Sequence, residues 1–322
     1  MPLRGAPLAL LGEVRTGLLP ESAALSRGSA AELLTLVRGR HVQSRERPLS
    51  WAQSPVIPEG VDCRLATPQR ARVRGVGTVA THAVVRGGRI LQSSAQATVV
   101  PAQGNHRRGW GHYLGRIGVV EILTRTTANL GSHLVEGFLG PPDLVAPTLD
   151  PGAIAARLHT RVRTDPILDQ RPPIQTAACG LRWAARIRAG QAPSMSFVLL
   201  DDETRLASVV VGDETELRAV QRFCEDLATH DWLLTVLTEV IDEAEMAQLS
   251  HSSPAQVLTP LLEHLVHLWL PGAFTPPVLR GLWTGLEADP GFSTQWNARV
   301  GQLRDRISVA TLGALNRTQS RW

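Results

Sequence analysis

Residues 81–100 read THAVVRGGRILQSSAQATVV, and they are the most strand-like stretch of the chain. Two runs rich in Val, Ala and Thr lie on either side of Gly87-Gly88. Paired glycines supply the positive φ angles that a tight hairpin turn requires. The stretch therefore predicts an antiparallel β-hairpin.

A further strand is predicted before this hairpin. Residues 8–19 (LALLGEVRTGLL) alternate, so that Val14 and Leu18 face one side of the strand while Glu13 and Arg15 face the other.

Three more strands are predicted after the hairpin, over residues 179–188, 194–200 and 205–211. The last two are separated by Asp201-Asp202-Glu203-Thr204, a polar segment typical of a turn. Short connections between consecutive strands predict a three-stranded meander.

The pattern becomes helical after Gly212, where Leu217, Val220, Cys224 and Leu227 recur at helical spacing. Asp150-Pro151 also predicts a helix start, with an N-cap followed by proline. The other predicted helices lie near residues 29–38, 117–127, 232–246, 276–288 and 291–315, with one more opening at Ser253-Pro254. The predicted class is α+β: a β-rich N-terminal region with hairpins and a three-stranded meander, followed by an all-α C-terminal helical region.

Charge is divided unevenly along the 322 residues, although the formal net charge is only +4. Residues 1–200 hold 24 Arg and 12 acidic residues, whereas residues 201–322 hold 9 Arg and 17 acidic residues. This asymmetry predicts a basic, β-rich region over 1–211, with a candidate subdivision near residue 150, and an acidic, Trp-rich helical region over 212–322.

Several function classes are excluded by composition. All 33 basic residues are Arg, so the chain has neither a Schiff-base lysine nor the lysine of a Walker-type phosphate loop. Cys63, Cys179 and Cys224 are far apart and form no CxxC pair, which indicates a reducing, cytoplasmic setting. The sequence contains no GxSxG elbow, and we expect neither a cofactor nor a metal.

An Arg-rich face is the first candidate binding feature. It combines three alternating residues of one strand with two near the hairpin turn: Arg70, Arg72, Arg74, Arg86 and Arg89. Three interpretations stay open, namely a surface that follows phosphates of a nucleic acid, ion pairing with the acidic helical region within or between chains, and side chains that are simply solvated.

The second candidate is the polar segment GNHRRGWGHY, residues 104–113. Its binding candidates are His106, Arg107, Arg108, Trp110 and His112. Arg beside aromatic residues suits phosphate or single-stranded nucleic acid, and the two histidines suit an enzyme site. The alternative is a surface loop anchored by Trp110.

Two histidine motifs favour structural roles. Glu263-His264-x-x-His267 lacks the i, i+4 histidine spacing of a zinc protease, which predicts a solvated helix face. His230-Asp231-Trp232 lies where two predicted helices meet, which predicts a capped junction with a buried Trp232.

Seven strings together resemble an uncharacterised actinobacterial family. They are GEVRTGLLP (12–20), ESAALSRGSAAELLTLVRG (21–39), RGVGTVATHAVVRGGRILQ (74–92), LRWAARIR (181–188), CEDLATHDWLLT (224–235), HLWLPGA (267–273) and PGFSTQWNARV (290–300). The resemblance covers nearly the whole chain. It implies a gene cassette that also encodes a variant P-loop ATPase, and it carries over no catalytic residue.

Three functional hypotheses follow. The first is a non-enzymatic adaptor or assembly component of a multi-protein cytoplasmic system, working with the separately encoded ATPase, and a homo-oligomer stays an open alternative. The charge division and the Trp-rich helices motivate it. The second is nucleic-acid binding through the Arg-rich half. The third is an enzyme with a site around residues 104–113.

Overall fold

The computed structural model describes residues 6–68, 73–104, 106–124, 127, 129–141, 148–249 and 254–319. Its strands are β1 (Ala9–Leu18), β2 (Gln43–Arg45), β3 (Trp51–Gln53), β4 (Ile57–Leu65), β5 (Val73–Arg86), β6 (Ile90–Pro101), β7 (Val119–Ile122), β8 (Cys179–Ile187), β9 (Ser194–Leu199) and β10 (Thr204–Val211). Its α-helices are α1 (Arg27–Leu33), α2 (Trp110–Leu114), α3 (Leu130–Leu139), α4 (Pro151–Arg163), α5 (Glu214–Leu249), α6 (Pro254–His264), α7 (Arg280–Ala288) and α8 (Phe292–Gln319).

The described strands form one mixed sheet in the order β2-β3-β5-β7-β6-β1-β8-β10-β9, with β4 paired to β5. The strands lie in the N-terminal two thirds of the chain, and the C-terminal part is helical. The α+β class is therefore confirmed.

The alternation in β1 assigns each face of the sheet to a separate core. Leu10 and Val14 pack with α5, α7 and the start of α8, whereas Ala9 and Leu11 pack with α3 and α4. Glu13 and Arg15 lie on the α4 side, as the alternation predicts. The sheet is thus the middle of three layers, with helices on both of its faces.

The predicted hairpin is confirmed as β5–β6, in which Arg86 pairs with Ile90 across the turn. Gly87 and Gly88 adopt φ angles of 58° and 66°. A Cβ atom on Gly88 would lie 2.4 Å from the Leu25 carbonyl oxygen, so the close chain approach also requires glycine.

The predicted meander is wrong, because β8 does not pair with β9. Instead β10 lies between them, parallel to β8 and antiparallel to β9. Residues 188–193 cross the end of β10, so that β9 forms a hairpin with β10 on the side away from β8. Burial explains the order, since Val209 and Val211 of β10 contribute to the core under α5, whereas Ser194 and Ser196 of β9 are exposed at the edge.

The predicted helix near residues 117–127 is also wrong, because residues 119–122 form β7. This short strand lies between the ends of β5 and β6, parallel to β6. Its backbone approaches β5 so closely that a Cβ atom on Gly77 would lie 2.0 Å from the Val119 carbonyl oxygen. Pairing with β5, which Gly77 allows to approach closely, therefore makes residues 119–122 a strand and not a helix.

The C-terminal helices are confirmed with one correction. Helix α5 is continuous over 36 residues, so the helix junction predicted at His230-Asp231-Trp232 does not exist. The side chains of Asp213 and Glu216 cap the start of α5, since Asp213 accepts from the Glu216 amide and Glu216 accepts from the Gly212 amide. Pro260 lies inside α6, and the predicted N-cap Ser253 lies outside the described residues.

Candidate functional site

Three predicted binding residues, Arg74, Arg107 and Trp110, meet at one end of β4 and β5, and we call this the Arg/Trp surface. The Asp62 carboxylate accepts two hydrogen bonds from Arg74, both at 2.8 Å, and one from Arg107 at 3.0 Å. Chiefly because of Arg74, the pKa of Asp62 lies below its ordinary value. The Arg107 guanidinium lies 4.9 Å from the centre of the Trp110 ring, a cation–π geometry.

The other candidates of the 104–113 loop have separate surroundings. His112 Nε2 lies 3.0 Å from the buried Glu121 carboxylate, which also contacts the Arg116 guanidinium. His106 and Arg108 are exposed, and the His106 side chain has no hydrogen bond or ion pair with another described residue. The two histidines therefore do not share an acidic partner, and an enzyme site at this loop stays a prediction.

The Arg-rich face is not a continuous exposed surface. Arg70 and Arg72 lie outside the described residues, while Arg86 and Arg89 are buried. The prediction of an exposed phosphate-binding surface is thus wrong for Arg86 and Arg89. Arg74 and Arg86 lie on the same side of β5, but α5 covers only the Arg86 end.

Arg86 instead contacts the acidic helix, which is the second interpretation offered for it. Its Nε donates to Gln92 Oε1 at 2.8 Å, and its NH1 lies 3.7 Å from Asp226 Oδ1 on α5. Burial lowers the pKa of Arg86, and the Asp226 and Glu225 carboxylates oppose that shift. An arginine side chain nevertheless stays protonated in proteins, so this is a buried ion pair.

A polar network extends from this ion pair along α5. His82 Nε2 lies 2.8 Å from Glu225 Oε1, which also accepts a 2.7 Å hydrogen bond from the Ser94 hydroxyl. Burial by itself would raise the pKa of Glu225, but His82 and Arg86 lower it below its ordinary value. These residues are all buried, so the network attaches α5 to the sheet and has a structural role.

Arg89 has a different role near the hairpin turn. Its NH1 donates to the Ser22 carbonyl oxygen at 3.1 Å, and its NH2 lies 3.0 Å from His264 Nδ1. Burial, and then the Arg89 charge, lower the pKa of His264. His264 is half-buried and His267 is exposed, so the solvated face is only partly correct. No His, Cys, Asp and Glu cluster suited to a metal occurs among the described residues.

The His230-Asp231-Trp232 motif lies in the middle of α5, and its three side chains point to different partners. His230 Nδ1 donates to the Asp226 carbonyl oxygen at 2.7 Å, while its Nε2 accepts from the Leu270 amide at 3.2 Å. Burial lowers the pKa of His230, in agreement with a neutral ring. Trp232 is buried, as predicted.

The tryptophans of the described C-terminal helices belong to the core. Trp232, Trp283 and Trp296 are buried, and Trp269 stacks on Trp296 with ring centres 4.3 Å apart. Their number therefore reflects packing, and a docking surface must use other residues.

Strand β9 provides an exposed apolar surface that the sequence analysis did not identify. Val198, Leu199 and Leu200 are 52%, 59% and 64% exposed. Among the described strands, β9 pairs only with β10, so its other side is an edge of the described sheet. We call residues 194–200 the β9 edge. The uncharged string SMSFVLL was visible in the sequence, but the expected meander gave no reason to place it at an edge.

A cleft of about 490 Å³ adjoins the β9 edge, and we call it the β9 cleft. Phe197, Leu199 and Phe292 form its apolar side, and Glu239 and Asp242 of α5 are on the acidic side. Burial raises the pKa of Glu239, and so do nearby carboxylates.

Arg205 also lines the β9 cleft, but its guanidinium is fully engaged. It donates to Asp231 Oδ2 at 2.6 Å and to the Thr235 hydroxyl at 2.7 Å. Arg299 lines the cleft as well, and the Arg205 charge opposes the rise in the pKa of Glu239. The four carboxylates of the lining, from Asp202, Asp231, Glu239 and Asp242, still outnumber these two arginines.

No protein-family model, curated protein or solved structure matches the chain. Among the described residues, no helix combines the length and the apolar character needed to cross a membrane.

Proposed function

We propose that this protein is a non-enzymatic assembly component that docks an extended segment of a partner protein onto the β9 edge. The observation that supports this proposal is the run of three exposed apolar residues, Val198, Leu199 and Leu200, on an edge strand. Natural proteins normally protect such edges with charges, proline or a covering element, because an unprotected edge pairs with other chains.

The backbone of β9 supports docking by strand addition. The Leu200 amide donates to the Thr204 carbonyl oxygen at 3.0 Å, which makes this residue pair a hydrogen-bonded one. Because antiparallel pairs alternate, Ser196 and Val198 also turn their amides toward β10. Residues 195, 197 and 199 therefore direct their N–H and C=O groups to the edge, where an added strand would bind them.

The β9 cleft indicates the chemistry of the partner. A strand added at β9 would present alternate side chains to the apolar wall formed by Phe197 and Phe292. The Glu239 and Asp242 carboxylates also line the cleft and favour a cationic side chain. We therefore propose a segment with alternating apolar residues and at least one Arg or Lys.

The family resemblance supplies the candidate partner, the P-loop ATPase encoded in the same cassette. In this proposal both proteins act in a multi-protein cytoplasmic system, and nucleotide hydrolysis takes place on the ATPase. The chain described here supplies docking surfaces.

A proline substitution tests the docking mode. Leu199→Pro removes an outward N–H that bonds no described residue, so the native ladder to β10 is retained. Leu199→Ala is the matched control, because it shortens the same side chain and keeps the N–H. With the purified ATPase in isothermal titration calorimetry, we expect Leu199→Pro to weaken binding by about tenfold or more and Leu199→Ala by much less. Wild-type affinity in Leu199→Pro would refute strand addition.

Light scattering of the chain alone completes this test. We expect a monomer of 34.8 kDa. A dimer that Leu199→Pro dissociates would show that a second copy occupies the edge, which would overturn the proposal of a different partner.

Nucleic-acid binding is a second candidate, favoured by the Arg/Trp surface. Trp110 is 38% exposed beside the Arg107 guanidinium, an arrangement on which a base can stack. Fluorescence anisotropy with a single-stranded oligonucleotide should then show binding that weakens steeply with salt and is lost in Trp110→Ala. Absence of binding at low salt would exclude this candidate.

A further inference from the structure

A second cleft lies on the other face of the sheet, and we call it the β1–α4 cleft. It has a volume of about 440 Å³, within the range of small-molecule sites. Arg15 of β1 and Arg163 of α4 line it together with His159, Thr176 and Glu203. It is separate from the β9 cleft, which lies on the α5 side.

Neither of the two arginines of this cleft is paired with a carboxylate of the described residues. The side chains of Arg15 and Arg163 form no hydrogen bond or ion pair with any described residue. By contrast, Arg74, Arg182 and Arg205 each bind a carboxylate within 3.1 Å. Together with the single Glu203 carboxylate of the lining, the two unpaired guanidiniums give the cleft a net positive charge, which attracts anions.

His159 adds a buried polar group to the same cleft. Its ring is only 3% exposed, yet neither ring nitrogen has a hydrogen-bond partner among the described residues. Burial, followed by the charges of Arg163 and Arg15, lowers the pKa of His159 to about 3, so the ring is neutral at physiological pH. A neutral imidazole offers one N–H donor and one acceptor.

The hydroxyl of Thr176 shows the same feature. Its Oγ1 atom is buried and lacks a hydrogen-bond partner within the described residues. Buried polar atoms in folded proteins are nearly always hydrogen-bonded, so these two groups require partners other than the described side chains, either ordered water or a bound polar ligand.

The wall of the cleft beside His159 is closely packed around Gly17. A Cβ atom on Gly17 would lie 3.0 Å from the Ala178 Cβ atom and 3.3 Å from His159 Nε2. A side chain at residue 17 would therefore occupy the space next to the imidazole.

We propose that the β1–α4 cleft binds the phosphoryl group of a small phosphomonoester, held by Arg15 and Arg163 with His159 and Thr176 as further hydrogen-bond donors. A phosphoryl dianion matches two guanidinium forks better than a single carboxylate does, since it carries more charge and more acceptor oxygens. The Glu203 carboxylate at the wall would accept a hydrogen bond from a hydroxyl group elsewhere in the ligand.

Calorimetric titration with inorganic phosphate and with glycerol 3-phosphate, at constant ionic strength, tests this proposal. We expect saturable binding of both, with Arg15→Gln and Arg163→Gln each weakening it by about tenfold or more. Arg157→Gln is the matched control, because it removes the same charge from an exposed position of α4 and should change the affinity less than twofold.

Three results would overturn the proposal. The first is that phosphate does not bind saturably. The second is that Arg157→Gln weakens binding as much as Arg15→Gln and Arg163→Gln do. The third is that the protein binds inorganic phosphate but does not bind glycerol 3-phosphate.

If Arg163→Gln does not fold, Arg163→Lys keeps the charge and removes the planar fork. Weaker binding of phosphate by Arg163→Lys would support the proposal, and unchanged binding would count against it. Shifts of the His159 ring-nitrogen resonances on phosphate addition provide a readout at the site itself.

Discussion

At the scale of single residues, the pairing of Arg86 with α5 shows why charge in this chain is not simply a surface property. Arg86 and Asp226 are both buried, and the distance between Arg86 NH1 and Asp226 Oδ1 is 3.7 Å. Two charges removed from water stabilise a fold only while both are present. The sequence shows an excess of Arg in its first 200 residues and an excess of acidic residues after them. Which arginine pairs with which carboxylate depends on where α5 lies on the sheet.

Replacing one member should therefore be costly. Asp226→Asn removes one of the two carboxylates near the buried Arg86 guanidinium, and we expect a loss of about 3 kcal/mol in the free energy of unfolding. Urea denaturation measures it. Glu214→Gln is the control, because it breaks the exposed i, i+4 pair with Arg218 and should cost about 0.5 kcal/mol. Equal losses in the two variants would contradict the buried ion pair.

The pKa of His159 gives a second prediction at this scale. The folded pKa of about 3 lies below the unfolded value of 6.5, so the unfolded chain binds the proton first as the pH falls. Stability from this group is fully present above pH 6.5 and is lost progressively toward pH 3, by about 2 kcal/mol between pH 7 and pH 5. Urea denaturation at both pH values should show a smaller difference for His159→Gln than for the wild type.

At the scale of elements, patterns with a local cause were predictable and those with a distant cause were not. The β5–β6 hairpin and the start of α4 depend on Gly87-Gly88 and on Asp150-Pro151, and both were predicted. Strand β7 depends on pairing with residues more than 40 positions earlier in β5, so a window around it gives no signal. The position of β9 depends likewise on β10 being placed between two strands that precede it.

Two glycine substitutions test the element packing. Gly77→Ala places a Cβ atom against the β7 backbone, which cannot yield as a side chain can, and we expect a destabilisation of at least about 2 kcal/mol. Gly285→Ala lies in α7 with no atom within 4 Å of the new Cβ, and it should stabilise by about 0.5–1 kcal/mol. Thermal unfolding distinguishes the two signs, and a neutral Gly77→Ala would refute the close approach of β7.

At the scale of the whole molecule, the boundary near residue 211 separates two sequence regions that share a core. Trp183 and Val209 of the sheet pack in one cluster with Phe223 of α5 and Trp283 of α7.

The candidate sites differ in how far they could be predicted from the sequence. Arg74, Arg107 and Trp110 of the Arg/Trp surface were identified from composition, but the β9 edge and the β1–α4 cleft depend on chain topology.

A fragment experiment tests the shared core. We expect residues 1–211 alone to fail to form a cooperative fold, because removing α5 exposes Trp183 and Val209. Circular dichroism with thermal unfolding measures this. A sharp transition in the fragment would show instead that the N-terminal region is an independent domain, as the charge division suggested.

Residue-resolved amide hydrogen exchange of β9, with and without the P-loop ATPase proposed as its partner, tests the docking proposal most directly. In the isolated chain, the amides of residues 196, 198 and 200 should be protected and those of residues 195, 197 and 199 should exchange rapidly. The ATPase should slow exchange at the second set specifically. A stable complex in which residues 195, 197 and 199 exchange as fast as before would contradict strand addition at this edge.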